Sequence, residues 1–89
     1  MISGYKFEGM ITAEQIRGAR ALLRWSASKL AAESEVSLPT IQRIEVLNGV
    51  PNSQAKKLQS IQRALESAGI EFIPENGGGV GVRFRDSAR

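Results

Sequence analysis

The chain has 89 residues, 42% apolar and 24% charged, the composition of one ordinary globular domain and too little length for two. Its net charge of +3 and pI near 9.8 favour polyanions without describing a disordered basic tail. Cysteine and histidine are both absent, no apolar run approaches the roughly 20 residues of a membrane span, and the first residues lack a signal-peptide pattern. A cytoplasmic protein that is not an enzyme and uses no metal or cofactor is therefore expected.

Residues 1–11 carry Gly4 and Gly9 and no helical period, and read as an N-terminal arm. Thr12 then opens a helix. Its hydroxyl can accept from the first free N–H groups, Glu14 lies in the electropositive first turn, and Gln15 completes a T-x-x-Q capping box. The helix is predicted from Ala13 to Arg24, with Ile16, Ala19 and Leu23 at helical spacing and Arg17, Arg20 and Arg24 on other faces. Trp25, at its end, reads as a core anchor.

Ser26 caps a second short helix, Ala27 to Ser34, with Leu30 and Ala31 on its inward face. Ser37 caps a third, in which Pro39 is tolerated because a first-turn N–H has no intrahelical partner. Only about three residues separate the two helices, and Val36 supplies an apolar plug inside that turn. The small side chain of Ala31 allows a close, steep crossing. Ile41 and Ile44 then pin the third helix from below, which leaves Leu38, Pro39, Gln42 and Arg43 outward. An exposed helix of this size fits the major groove of B-DNA, where Gln and Arg can make paired hydrogen bonds to adenine and guanine.

After Glu45 the run Val46-Leu47-Asn48-Gly49-Val50-Pro51-Asn52 carries helix-stop and loop punctuation. Asn52 or Ser53 caps a long one-faced helix in which Leu58, Ile61, Leu65 and Ala68 recur, and Gly69 ends it. From there the period becomes alternating. Ile70 and Phe72 form one apolar set and Val80, Val82 and Phe84 another, on either side of Pro74 to Gly79. Strand signals flank Gly77-Gly78-Gly79 on both sides, so it reads as a turn and not as a phosphate-cradling loop. The nine acids are dispersed, which argues against a metal-dependent enzyme acting on DNA.

The residues Trp25-Ser26, Leu30-Ala31, Val36-Ser37, Thr40-Ile41 and Arg43-Ile44-Glu45, followed by Gly49 and Pro51, resemble the phage-repressor helix-turn-helix family, the group of Cro and C1 repressors and Xre-type bacterial regulators. The likeness runs from Thr12 to Ala68. The downstream run Leu65 to Gly79 is similar to the tail of a bacterial subgroup. The resemblance implies a mainly α fold: a four- to five-helix, lambda-repressor-like helix-turn-helix bundle over residues 12–69, with a C-terminal β-hairpin or strand extension at 70–85 and a flexible tail at 86–89. It makes the third helix a recognition helix with Leu38, Pro39, Gln42 and Arg43 as base readers, and Thr40 a phosphate or base contact. It also implies an ion pair between Glu45 and Arg17 or Arg20. Two positions depart from the pattern. Glu35 stands where the family has a turn glycine, so a left-handed backbone there carries strain of about 1 kcal/mol or more. Ala27 stands where a phosphate-holding glutamine is usual.

Backbone N–H groups at helix starts suit phosphate, which makes Ser26, Ser37, Asn48, Asn52 and Ser53 candidate contacts together with Lys29, Lys56 and Lys57. The implied function is a sequence-specific transcriptional regulator, a repressor that occupies a palindromic operator in double-stranded DNA. Ile70, Phe72, Val80, Val82 and Phe84 form an apolar set larger than a lone hairpin covers. It either makes a homodimer or folds back on the chain's own bundle. A second reading is an antitoxin or other protein-interaction module, whose tail binds a toxin-like partner while its helices bind their own promoter.

Overall fold

Each of the first three helices begins where a hydroxyl can accept the free N–H groups of a first turn. In the computed structural model, which describes residues 10–47 and 55–86, these are α1 (Ala13–Leu23), α2 (Ala27–Ser34) and α3 (Leu38–Glu45), with N-caps at Thr12, Ser26 and Ser37. They are followed by α4 (Ala55–Ser67) and an antiparallel pair, β1 (Ile70–Ile73) and β2 (Gly81–Phe84). The chain is thus mainly helical with one small two-stranded sheet. Among the described residues no helix is long and apolar enough to cross a membrane.

The capping box at α1 forms as the spacing predicts: the Gln15 N–H donates to Thr12 Oγ1 at 3.0 Å, and the Thr12 N–H donates to Gln15 Oε1 at 2.9 Å. Ile11 precedes the cap and Ile16 follows it by one turn; both are buried in one cluster, the arrangement of a hydrophobic staple. Ile11 therefore belongs to the core and not to an arm. The helix also ends one residue earlier than its period predicts, because Arg24 adopts a left-handed backbone (φ 59°). The Trp25 N–H then returns to Arg20 O at 2.9 Å and satisfies a last-turn carbonyl. Trp25 is half-buried, packed at the rim of the core, so it is less enclosed than a core anchor.

The core gathers Ile16 and Ala19 of α1, Leu30 of α2, Val36 of the turn, Ile41 and Ile44 of α3, and Leu58, Ile61 and Leu65 of α4. Its remaining members are Ile11 and, from the sheet, Ile70 and Phe72, only 1% and 3% exposed. The two-residue link Ala68–Gly69 explains why. Gly69, at φ 106°, turns the chain back as soon as α4 ends, and β1 is laid on the bundle. Register pairs Ile70 with Phe84 and Phe72 with Val82, which puts all four on the inner face, Val82 and Phe84 against the core. Gly18 on α1 admits this layer, since a Cβ there would stand 3.2 Å from a Val82 methyl.

These contacts lay most of the apolar set on the chain's own bundle. Ile70 and Phe72 are spent inside their own chain, Val82 and Phe84 are half-covered, and only Val80, just before β2, is exposed. Buried Gln15 fastens the layer: its Nε2 donates to Ile73 O at 3.2 Å and to Gly81 O at 2.9 Å. One amide side chain thus caps a helix and clamps the loop end of the hairpin. Residues 70–85 are part of the same packed unit as the helices.

Between α2 and α3, Glu35 takes the left-handed backbone (φ 60°, ψ 28°) that glycine would adopt without cost. Replacing it should therefore relieve strain. Glu35→Gly is expected to stabilise the fold by about 1 kcal/mol, a rise in Tm of about 4–8 °C for a domain of this size, while Glu35→Ala gains nothing. Thermal unfolding followed by circular dichroism decides it, and a Tm for Glu35→Gly at or below that of the parent would contradict the strain at this turn.

Candidate nucleic-acid interface

An eight-residue helix cannot hold its own shape in water, so whatever α3 presents outward depends on how it is anchored. Ile41 and Ile44 fix it from the core side. The turn before it is closed by Ser34 at the end of α2, whose hydroxyl donates to Leu30 O at 2.7 Å and accepts from the Val36 N–H at 3.3 Å. Val36 plugs the angle between the helices as its position predicts. Pro39, Gln42 and Arg43 are then exposed on one face, and Leu38 is half-buried at its edge.

Val46 extends that face. It lies one turn beyond Gln42 and Arg43, keeps a helical backbone (φ −83°, ψ −6°) and is 79% exposed. Sequence punctuation assigned it to the following loop. The signal that could have found it is its spacing of seven from Pro39, which continues the outer stripe by a further turn.

Glu45 is the sole acid of α3 and points the other way. Its carboxylate is held by both prongs of Arg20 of α1, with Nε donating to Oε2 at 2.8 Å and Nη2 to Oε1 at 2.7 Å, while Arg20 Nη1 donates to Trp25 O at 2.9 Å. Of the two arginines implied as partners, Arg20 makes the pair. Arg17 instead donates to the backbone carbonyls of Glu45 and Leu47, closing the C-terminal end of α3. The hydrogen bonds from Arg20 to Glu45 push the guanidinium above its ordinary value, against partial desolvation, and the carboxylate's charge adds to the rise. Stability linked to that shift is complete below the ordinary arginine value and is lost only as pH climbs through the raised one. The pair holds across the working pH range.

The candidate phosphate contacts fall into four groups. Ser26 and Ser37 are exposed N-caps whose Oγ atoms accept from the N–H of Lys29 at 3.0 Å and of Thr40 at 3.4 Å. Asn48, Asn52 and Ser53 lie outside the described residues. Thr40 and Lys29 have partners already. Thr40 is 5% exposed, and its Oγ1 accepts from Ser37 Oγ at 3.0 Å and from Arg43 Nη2 at 3.3 Å, which leaves little of it open to a phosphate. Lys29 Nζ lies 3.1 Å from Glu33 Oε2 and 5.6 Å from the Trp25 ring centroid. Both acidic and basic members of that pair are exposed, so releasing the lysine to another anion costs less than about 0.5 kcal/mol.

Lys56 and Lys57 are exposed in the first turn of α4, where no acid accompanies them. Cations there oppose the helix dipole by some tenths of a kcal/mol. Arg83 and Arg85 are both exposed and make local bonds: Arg83 Nε donates to Glu71, directly opposite on β1, at 3.1 Å, and Arg85 Nη1 to Glu66 O, near the end of α4, at 3.1 Å. Among the described residues no three His, Cys, Asp or Glu side chains converge on a position that could hold a metal ion.

The Arg20–Glu45 pair is the anchor that single substitutions can test. Arg20→Met leaves a largely buried carboxylate without its cation and is expected to cost about 2–4 kcal/mol, discounted for the arginine's partial exposure. Arg20→Met combined with Glu45→Met should cost less than Arg20→Met alone. Urea unfolding of both single variants and the double variant measures this, and a double loss equal to the sum of the two single losses would show that the pair carries no such coupling.

The sequence matches no protein-family model and no curated protein.

Proposed function

We propose that the chain is a sequence-specific DNA-binding regulator that reads the major groove with α3 and acts on transcription by occupying its site. The observation that carries this reading is the division of α3 into two faces. Its one acid is turned inward and neutralised by Arg20, while Pro39, Gln42, Arg43 and Val46 stand outward with no acid among them. A helix that is to lie against phosphates must hide its negative charge, and a helix that is to read bases needs side chains with paired donors and acceptors. The stripe on α3 meets both requirements.

Three further features support it. The three-residue connection between α2 and α3, with Val36 buried inside it, matches a helix-turn-helix unit. Lysines at the start of α4 and serine-capped starts of α2 and α3 offer the cations and N–H groups that phosphates take. The strongly polar outer face of the hairpin, by contrast, pairs its charges within itself. Of the apolar residues expected to bring two copies together, Ile70 and Phe72 are buried within the chain, while Val80 is exposed and Val82 and Phe84 are half-covered, and the symmetry of the preferred sequence reports how many copies bind.

Gln42→Ala and Arg43→Ala are each expected to lose about 1–3 kcal/mol on the preferred duplex and to relax the base preference at one position, with folding unchanged. Selection from a random duplex pool followed by titration of parent and variants reads this. Parental affinity and preference in both variants would refute α3 as the reading element. Affinity should also fall with salt, with a log–log slope of about −0.9 for each phosphate neutralised. Gel-shift titrations at several salt concentrations check it; no binding even at the lowest would remove DNA as the partner.

A further inference from the structure

Arginine can meet DNA in two ways, as a charge beside phosphate or as an oriented fork on guanine O6 and N7. Which one a given arginine performs depends on how its guanidinium is held before DNA arrives. Arg43 is exposed, but its Nη2 is not left to water, because it donates to the buried Thr40 hydroxyl at 3.3 Å. That hydroxyl is itself fixed by the Ser37 hydroxyl at 3.0 Å, and the Ser37 Oγ is fixed as the cap accepting the Thr40 N–H. The Oγ1 lone pairs of Thr40 are both engaged. The chain of bonds begins at the backbone of the helix and ends on the guanidinium.

One of five arginine donors is used this way, which leaves four for a ligand. Holding one Nη in place restricts the orientations of the fork, and the rotamer freedom that a mobile arginine would lose on binding is reduced in advance.

We infer that Thr40 is a positioning residue for base recognition: its buried hydroxyl orients Arg43 toward a guanine in the major groove, and its effect is specificity at one base pair. The inference rests on the DNA-binding reading and adds the base class and the residue that sets it. Thr40 touches no DNA. It acts only through Arg43.

The experiment uses the full chain as parent, Thr40→Val, Thr40→Ser, Arg43→Ala and Thr40→Val/Arg43→Ala. Affinity is measured for three duplexes: the best duplex selected by the parent, the same duplex with G·C changed to A·T at the pair whose preference Arg43→Ala relaxes, and an unrelated duplex. Thr40→Val is expected to bind the selected duplex about three- to tenfold more weakly, the range of ordering one long side chain. It should bind the unrelated duplex as the parent does. Thr40→Ser restores parental discrimination because it restores the hydroxyl. Adding Thr40→Val to Arg43→Ala changes nothing further.

Parental affinity of Thr40→Val on the selected duplex would overturn the inference. So would an equal loss on the unrelated duplex, a failure of Thr40→Ser to rescue, or an Arg43→Ala variant that relaxes no pair because Arg43 sits on phosphate. Circular dichroism confirms that each variant is folded, and if Thr40→Val is not, Thr40→Ala against Thr40→Ser makes the same comparison. A parent that selects no sequence fails the DNA-binding reading itself, and is seen before any variant is compared.

Discussion

A carboxylate cannot be taken out of water on an eight-residue helix without a cation to meet it, and the bond between Arg20 and Glu45 is the constraint around which this molecule is arranged. It joins α1 to α3 across the core with two parallel hydrogen bonds, a geometry that only arginine supplies. The pair does more than hold two helices together. A hydrophobic contact in the same place would tolerate rotation of α3 about its axis, whereas a forked pair fixes the angle at which the helix meets α1. Because Glu45 is locked inward, Arg43, which lies nearly opposite it on the helix, is locked outward, and Gln42 stays on the exposed side. Arg17 works to the same end by holding the last carbonyls of α3.

Much of this could be read along the chain. The capping box at Thr12 and Gln15, the apolar period of Leu58, Ile61 and Leu65, the Val36 plug and the outward set Pro39, Gln42 and Arg43 all depend on local spacing, and local spacing is what sequence carries. Harder to see were features in which one side chain serves two distant elements. Gln15 is legible as a capping residue, but nothing in its neighbourhood announces that its amide also reaches carbonyls of Ile73 and Gly81. Thr40 resembles a surface hydroxyl because its helix is a surface helix; its position between Ser37 and Arg43 buries it. The hairpin's alternation was visible as two apolar faces in sum, and the covering of one of them by α1 and α4 was a tertiary outcome that period-two patterning cannot contain.

Backbone strain is kept at the ends of the two helices that lead to α3. Arg24 and Glu35 are the two non-glycine residues with left-handed backbones among those described. Each closes a helix and begins a short link, where an extra residue would swing the next helix away. The strain is tolerated because neighbours over-determine both turns, the Arg20 carbonyl and guanidinium meeting Trp25 at the first and buried Ser34 and Val36 at the second.

The position of the sheet bears on how the bundle could be used. A lone two-stranded hairpin is marginal in water, and this one is made permanent by contributing Ile70 and Phe72 to the core and taking Gly18 and Gln15 as its seat. Its outward side chains, Glu71 and Arg83, neutralise each other directly across the strands, so that surface has little net attraction for a polyanion. α1 therefore has the sheet on one flank and α3 on the other. Held from both sides, it is the fixed frame from which Arg20 positions the outward face of α3, and the strands stiffen that frame.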